Sequence, residues 1–149
     1  MFKAELNRVA IVVKDIEKAM KDLEAMLGCQ FYGPFDDPGP GLKVALPRRG
    51  GLELVSPARE DDAIGATKLL EEKGEGITGM GFRVDDIEEA ERHMAELGLQ
   101  PAVRISHNGF KEILYPRQEA THGLEIALNE FPDANGMAIE VGRDLGYEV

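Results

Sequence analysis

Apolar and polar positions alternate from Asn7 to Val13. Val9, Ile11 and Val13 share one parity, and Arg8, Ala10 and Val12 share the other, so this Val- and Ile-rich run predicts a strand over 7–13. The period then changes. Ile16, Ala19, Met20, Leu23, Met26 and Leu27 recur at helical spacing, with Asp15 placed to cap the first turn and Gly28 to end the last. Three short strands are predicted next, at 30–33, 42–46 and 51–55, punctuated by Gly39-Pro40-Gly41 and Arg49-Gly50-Gly51.

The whole pattern then repeats. Val9-Ala10-Ile11-Val12-Val13-Lys14-Asp15-Ile16-Glu17 returns as Met80-Gly81-Phe82-Arg83-Val84-Asp85-Asp86-Ile87-Glu88. Leu27-Gly28-Cys29-Gln30 returns as Leu97-Gly98-Leu99-Gln100, and Pro47-Arg48 as Pro116-Arg117. Gly51-Leu52-Glu53-Leu54 returns as Gly123-Leu124-Glu125-Ile126. The second copy thus predicts strands at 77–84, 102–106, 111–115 and 123–128, with a helix stripe of Ile87, Ala90, Met94 and Leu97. Two repeats are too few for a solenoid, so a pseudo-twofold pair sharing one sheet system is expected. The division is a first βαβββ module over 1–58, a connector with a short helix over 59–76, a second module over 77–132 and a tail over 133–149. Within the tail, 137–141 reads as an added strand or a loosely attached end.

Side chains alternate across a strand, so parity sorts them onto two faces. Val9, Ile11, Val13, Met80, Phe82, Val84, Leu52, Leu54, Leu124, Ile126 and Leu128 are expected under the helices. That leaves Arg8, Glu53, Glu125, Gly79, Gly81 and Arg83 on the opposite face. If that face curls, Arg8, Glu53 and Glu125 converge in one hollow. The plainer alternative is a wet face carrying ordinary surface charge.

Composition narrows the partners. The 149 residues are 43% hydrophobic and 30% charged, as in a globular protein, with a formal net charge of -11. Such a surface repels nucleic acid and anionic membrane, and no basic stripe offsets it. No apolar run is long enough to span a bilayer, the first residues lack a secretory layout, and the single Cys29 makes no internal disulfide. A cytoplasmic small-molecule protein is the expectation.

The paired βαβββ modules, the strand followed by Asp-Ile-Glu, and the Gly-Leu-Glu-Leu closing strand resemble the vicinal oxygen chelate superfamily of glyoxalases, bleomycin-resistance proteins and extradiol dioxygenases. Within it, the run from Lys73 through Gly79-Met80-Gly81-Phe82-Arg83-Val84-Asp85-Asp86-Ile87 looks most like the methylmalonyl-CoA epimerases. The resemblance implies an α+β fold in which each module forms half of a cup-shaped mixed sheet with the helices outside. It also implies a homodimer, with modules pairing within one chain or across two. Members usually hold a divalent metal through His, Glu or Gln, His, and Glu. On this chain those positions fall on Arg8, Glu53, Gly79 and Glu125, with Ala127 the competitor for the last. Both imidazoles are therefore missing. Glu53 and Glu125 are the residues to hold a weakly bound divalent metal if there is one. A guanidinium accepts no metal, so no bound metal or other cofactor is expected.

Other candidates are weaker. Arg48 and Arg117 sit in matched loops, near Arg104 and Lys111, and could take an anionic substrate, although surface charge explains them as well. His107, in a predicted hairpin turn with Asn108-Gly109, and His122, just before the last strand, could reach the cup mouth, although turn polarity explains both, whereas His93 reads as polar surface. Tyr115, like Tyr32, Phe35 and Phe110, could line the pocket or pack in the core.

The two functional expectations are these. The first is an epimerase-, isomerase- or lyase-type enzyme moving a proton next to a carbonyl or acyl-CoA group, with Glu53 or Glu125 as base and Arg8 in place of the metal. The second is a bleomycin-resistance-like protein that binds a small molecule without chemistry. An extradiol dioxygenase needs two His beside a carboxylate, which this chain lacks.

Overall fold

Asp15 and Asp86 start equivalent helices in the same way. Each lies in extended backbone and accepts a backbone N–H three residues on, from Lys18 and Glu89, so each satisfies a donor that the first helical turn leaves unpaired. The computed structural model describes residues 2–107, 109–132 and 137–149, without the Met137 side chain. Asn108 and the first tail residues, 133–136, lie outside it.

The first module runs β1 (Glu5–Val12), α1 (Ile16–Leu27), β2 (Phe31–Asp37), β3 (Leu42–Pro47) and β4 (Leu52–Pro57). A connector carries α2 (Ala66–Lys73). The second module runs β5 (Gly76–Arg83), α3 (Ile87–Glu96), β6 (Val103–His107), β7 (Phe110–Tyr115) and β8 (Glu125–Glu130), and α4 (Met137–Asp144) follows. The eight strands form one curled mixed sheet in the order β2-β3-β4-β1-β5-β8-β7-β6. β1 and β5 pair antiparallel at its centre, and each pairs in parallel with the last strand of its own module.

The convex face is covered by α1 and α3. Val13, Ile16, Ala45 and Leu54 pack with Ala19, Met20 and Leu23 of α1. Val84, Ile113, Tyr115 and Leu128 pack with Ile87, Ala90 and Met94 of α3. The concave face has its own core, and two further helices close it. Ile64 and Ala66 enter it from the α2 side, and Val141 enters it from α4 against Leu42, Val44, Phe110 and Leu114. Residues 137–144 of the tail are therefore a docked helix and not a strand. Alanine and valine at 138 and 141 repeat at helical spacing, and Val141 is 2% exposed.

Register corrects one expected equivalence. Glu53 lies opposite Ala10, and the matching pair in the second module is Gly81 with Ala127. Glu125 lies opposite Gly79 instead. The counterpart of Glu53 is thus Ala127, and Glu125 is two residues earlier on the same strand. A shift of two preserves parity, so Glu125 still faces the hollow.

Candidate active site

Arg8, Glu53 and Glu125 all line one cavity on the concave face, together with Glu112, a residue the parity argument had not singled out. They come from β1, β4, β8 and β7, and each is less than one-tenth exposed. Arg8 is the hub. Its Nε donates to Glu53 Oε2, its Nη2 to Glu112 Oε2 at 2.5 Å and its Nη1 to Asn129 Oδ1 at 2.5 Å. Asn129, fully buried on β8, in turn donates from Nδ2 to Glu112. A buried charge needs this degree of pairing, because an unpaired one is strongly unfavourable.

Two glycines make room for the cluster. A Cβ at Gly81 would stand 2.5 Å from Arg8 Nη1 and 2.7 Å from its Cγ. A Cβ at Gly79 would stand 2.5 Å from the Glu125 backbone oxygen and 3.0 Å from its Oε2. Arginine and glutamate thus fill the volume that side chains on β5 would otherwise occupy.

The charges do not balance one for one. Burial lowers the Arg8 pKa, but the carboxylates of Glu112 and Glu53 more than offset this, so Arg8 ends above the ordinary arginine value. Burial pushes the Glu53 carboxyl up despite the opposing pull of Arg8. Burial, then the nearby Glu53, push Glu125 up to about 8, against the opposing charges of Arg8 and Arg117. Glu125 Oε2 is buried and has no hydrogen-bond partner among the described residues. At neutral pH the site therefore holds Glu125 mainly as a carboxylic acid beside Glu53, which is ion-paired with Arg8.

The remaining sequence candidates separate. Arg117 is half-buried, donating to Thr78 Oγ1 at 2.6 Å and to the Gly65 carbonyl at 3.0 Å. His107 stands at the rim, where its Nδ1 lies 2.8 Å from Asp144 Oδ2 of α4, and it borders both the inner cavity and an outer groove. Arg83 faces that groove and not the inner cavity, and donates to the Phe131 carbonyl. Three placements are corrections. Arg48 is exposed outside the hollow, stacked 4.3 Å over Tyr32 and bonded to the Glu148 carbonyl. Tyr115 packs beneath α3, because its parity is opposite to that of Leu114. His93 is half-buried against Phe2, with ring centroids 5.3 Å apart, so it is not the free surface residue expected.

The cavity itself is small, about 40 Å³. That is close to the room one water needs and far below the roughly 300 Å³ at which small-molecule pockets begin. Val141 is among the side chains lining it.

A curled eight-stranded sheet of two βαβββ modules with a buried Arg–Glu cluster in its hollow defines the class, and sequence comparison agrees. Residues 7–115 match the model of the Glyoxalase/Bleomycin resistance protein/Dioxygenase superfamily, and the chain belongs to that family. Within it the chain is similar to methylmalonyl-CoA epimerases. It is 30% identical over 139 residues to the ethylmalonyl-CoA/methylmalonyl-CoA epimerase of Cereibacter sphaeroides, covering 91% of this chain and 95% of that protein. The fold matches methylmalonyl-CoA epimerase from Mycobacterium tuberculosis with a TM-score of 0.73 at 21% identity, covering 87% and 89% of the two chains. It also matches a Streptomyces coelicolor methylmalonyl-CoA epimerase in complex with 2-nitronate-propionyl-CoA, at 0.71 and 22%, covering 87% and 98%.

The donors present do not suit the divalent metal that the resemblance implies. With the register settled, the four positions carry Arg8, Glu53, Gly79 and Ala127, of which only Glu53 has a donor, and that carboxylate already holds Arg8. Among the described residues, no three acidic, histidine or cysteine side chains are arranged to hold a metal ion.

Proposed function

We propose that this protein interconverts the two configurations at the α-carbon of an acyl-CoA thioester of the methylmalonyl-CoA type by proton transfer between Glu53 and Glu125. The observation that carries this reading is the buried Glu125 acid, one oxygen unpartnered, facing Arg8-bound Glu53 from the opposite module. The 30% identity to an epimerase along nearly the whole chain supports the same class of reaction.

In the forward direction the Glu53 carboxylate takes the α-proton and the C–H electron pair moves onto the thioester carbonyl, giving an enolate. Glu125 then delivers its proton to the opposite face of the same carbon, and the carbonyl re-forms. The reverse direction exchanges the two roles. Arg8 supplies positive charge next to the enolate oxygen in a site shielded from water, where such charge acts most strongly. The substrate enters where α4 now lies, since the hollow as packed is too small for an acyl group.

The test is to assay stereochemical interconversion of a 2-alkylmalonyl-CoA by wild type, Glu53→Gln and Glu125→Gln, with binding followed by calorimetry. Each variant should lose on the order of 100-fold or more in turnover while still binding. Tight binding with no turnover by the wild type would favour the sequestering reading, and unchanged turnover in both variants would remove the two-carboxylate mechanism.

A further inference from the structure

The chain carries a formal net charge of -11, yet one cleft outside the hollow reverses the sign. It has a volume of about 330 Å³ and lies between α2 and the loop that follows β7. Lys68, Leu69, Glu72 and Lys73 recur at helical spacing along its α2 wall, and Pro116 and Arg117 form the wall opposite. Three cations thus share the cleft with one carboxylate. Lys68 and Glu72 stand 3.8 Å apart and are both exposed, so water screens that pair and leaves it weak.

Arg117 is the fixed member of the group. Its Nη1 donates to the buried Thr78 Oγ1 at 2.6 Å and its Nη2 to the Gly65 carbonyl at 3.0 Å. A Cβ at Gly65 would stand 3.2 Å from Nη2, so a glycine there keeps room for the guanidinium. Neither acceptor is charged, and the two bonds use two of the five N–H donors of an arginine. The N-terminus of α2 adds nothing for an anion. The buried Asp62 carboxylate already accepts the backbone N–H groups of Ile64, Ala66 and Thr67.

We propose that this cleft binds a phosphate-bearing anion, with Arg117 as the preset donor and Lys68 and Lys73 reaching it from α2. An excess of two positive charges suits a phosphate dianion or a diphosphate better than a single carboxylate. Two sources carry that chemistry. One is the phosphorylated end of the CoA thioester, and only this source rests on the epimerase reading. Thr78, which anchors Arg117, precedes Gly79, the β5 partner of Glu125, so the cleft adjoins the proposed reacting group. The other source is a separate phosphorylated molecule.

Inorganic pyrophosphate is the probe, titrated into the full chain by calorimetry and by proton–nitrogen NMR. It should bind saturably, shift the amides of Gly65, Lys68 and Lys73 and the Nε–H of Arg117, and weaken as salt is raised. Lys68→Glu/Lys73→Glu should weaken it roughly tenfold or more, whereas Lys3→Glu/Lys21→Glu, which changes net charge equally at exposed positions elsewhere, should change it less than about twofold. No saturable binding, or equal weakening by the two double variants, overturns the site. The source is read from KM in Lys68→Glu/Lys73→Glu. A rise for the CoA thioester, with none for the matching N-acetylcysteamine thioester that has no phosphate, assigns the cleft to the tail of the substrate. Pyrophosphate binding with neither KM changed assigns it to a separate phosphorylated ligand. If pyrophosphate binds at the cleft but the wild type epimerises no thioester, the functional reading fails and the anion site stands.

Discussion

The guanidinium of Arg8 occupies the space that a side chain at Gly81 would need. A Cβ at position 81 would lie 2.5 Å from Nη1 and 2.7 Å from Cγ, and the backbone there is not left-handed, so the glycine is required by crowding alone. Gly81→Ala should push Arg8 off Glu53, Glu112 and Asn129 and destabilise the fold by about 3 kcal/mol, as expected when a buried charge loses its partners. Urea denaturation of Gly81→Ala in the wild-type and Arg8→Met backgrounds checks this. The penalty should be clearly smaller where the guanidinium is already gone.

Glu125 makes stability fall with pH. Its ordinary value is 4.5 and its folded value is about 8. Between those limits the folded protein keeps a proton that the unfolded chain releases. Stability is therefore lost as pH rises from about 4.5 to about 8, and this contribution is level above that. Burial raises Glu53 and Asp37 as well, with the same sign. Glu125→Gln should flatten the curve, so that its advantage over wild type grows to a few kcal/mol by alkaline pH. Thermal melts from acid to alkaline pH provide the comparison.

Docking of α4 closes the hollow. Val141 packs into it, and Asp144 meets His107 at the rim. Val141→Asp should release the helix at a loss of about 2 kcal/mol, since a charge cannot stay in that apolar site. Hydrogen exchange should accelerate in α4 and remain slow in the central β1–β5 pair.

Tyr115 tests a placement. Its hydroxyl is buried without a partner among the described residues, beneath α3 on the side of the sheet away from the hollow. Tyr115→Phe should leave activity unchanged and hold or raise the melting temperature, with up to about 1 kcal/mol gained from removing an unsatisfied group.

Strand parity made much of this arrangement legible. Arg8, Glu53 and Glu125 were readable because each is a charge at a defined parity in an otherwise apolar strand. Glu112 carried the same signal, lying between Phe110 and Leu114 on the same face, but β7 also displays Lys111 and a one-residue reading does not separate them. Asn129 escaped because β8 continues past the expected end of its strand. Tyr115 was misplaced by residue type, although parity assigns it to the helix side. The equivalence of Glu53 with Glu125 failed for a different reason. Matching Gly-Leu-Glu motifs align in sequence, but pairing with β5 sets the register, and that is a tertiary choice. Reading 137–141 as a strand or a loose end misses α4, because Ala138 and Val141 alone are too few to show a helical stripe.

The most direct measurement is solvent-proton exchange at the α-carbon of a methylmalonyl-CoA-type thioester in deuterated water, using protein stripped with a chelator. Transfer between Glu53 and Glu125 beside Arg8 predicts deuterium at that carbon with inversion of configuration, at an undiminished rate without metal, and loss of the inversion in Glu125→Gln. No exchange by the stripped protein, with activity restored by a divalent metal, would contradict the account.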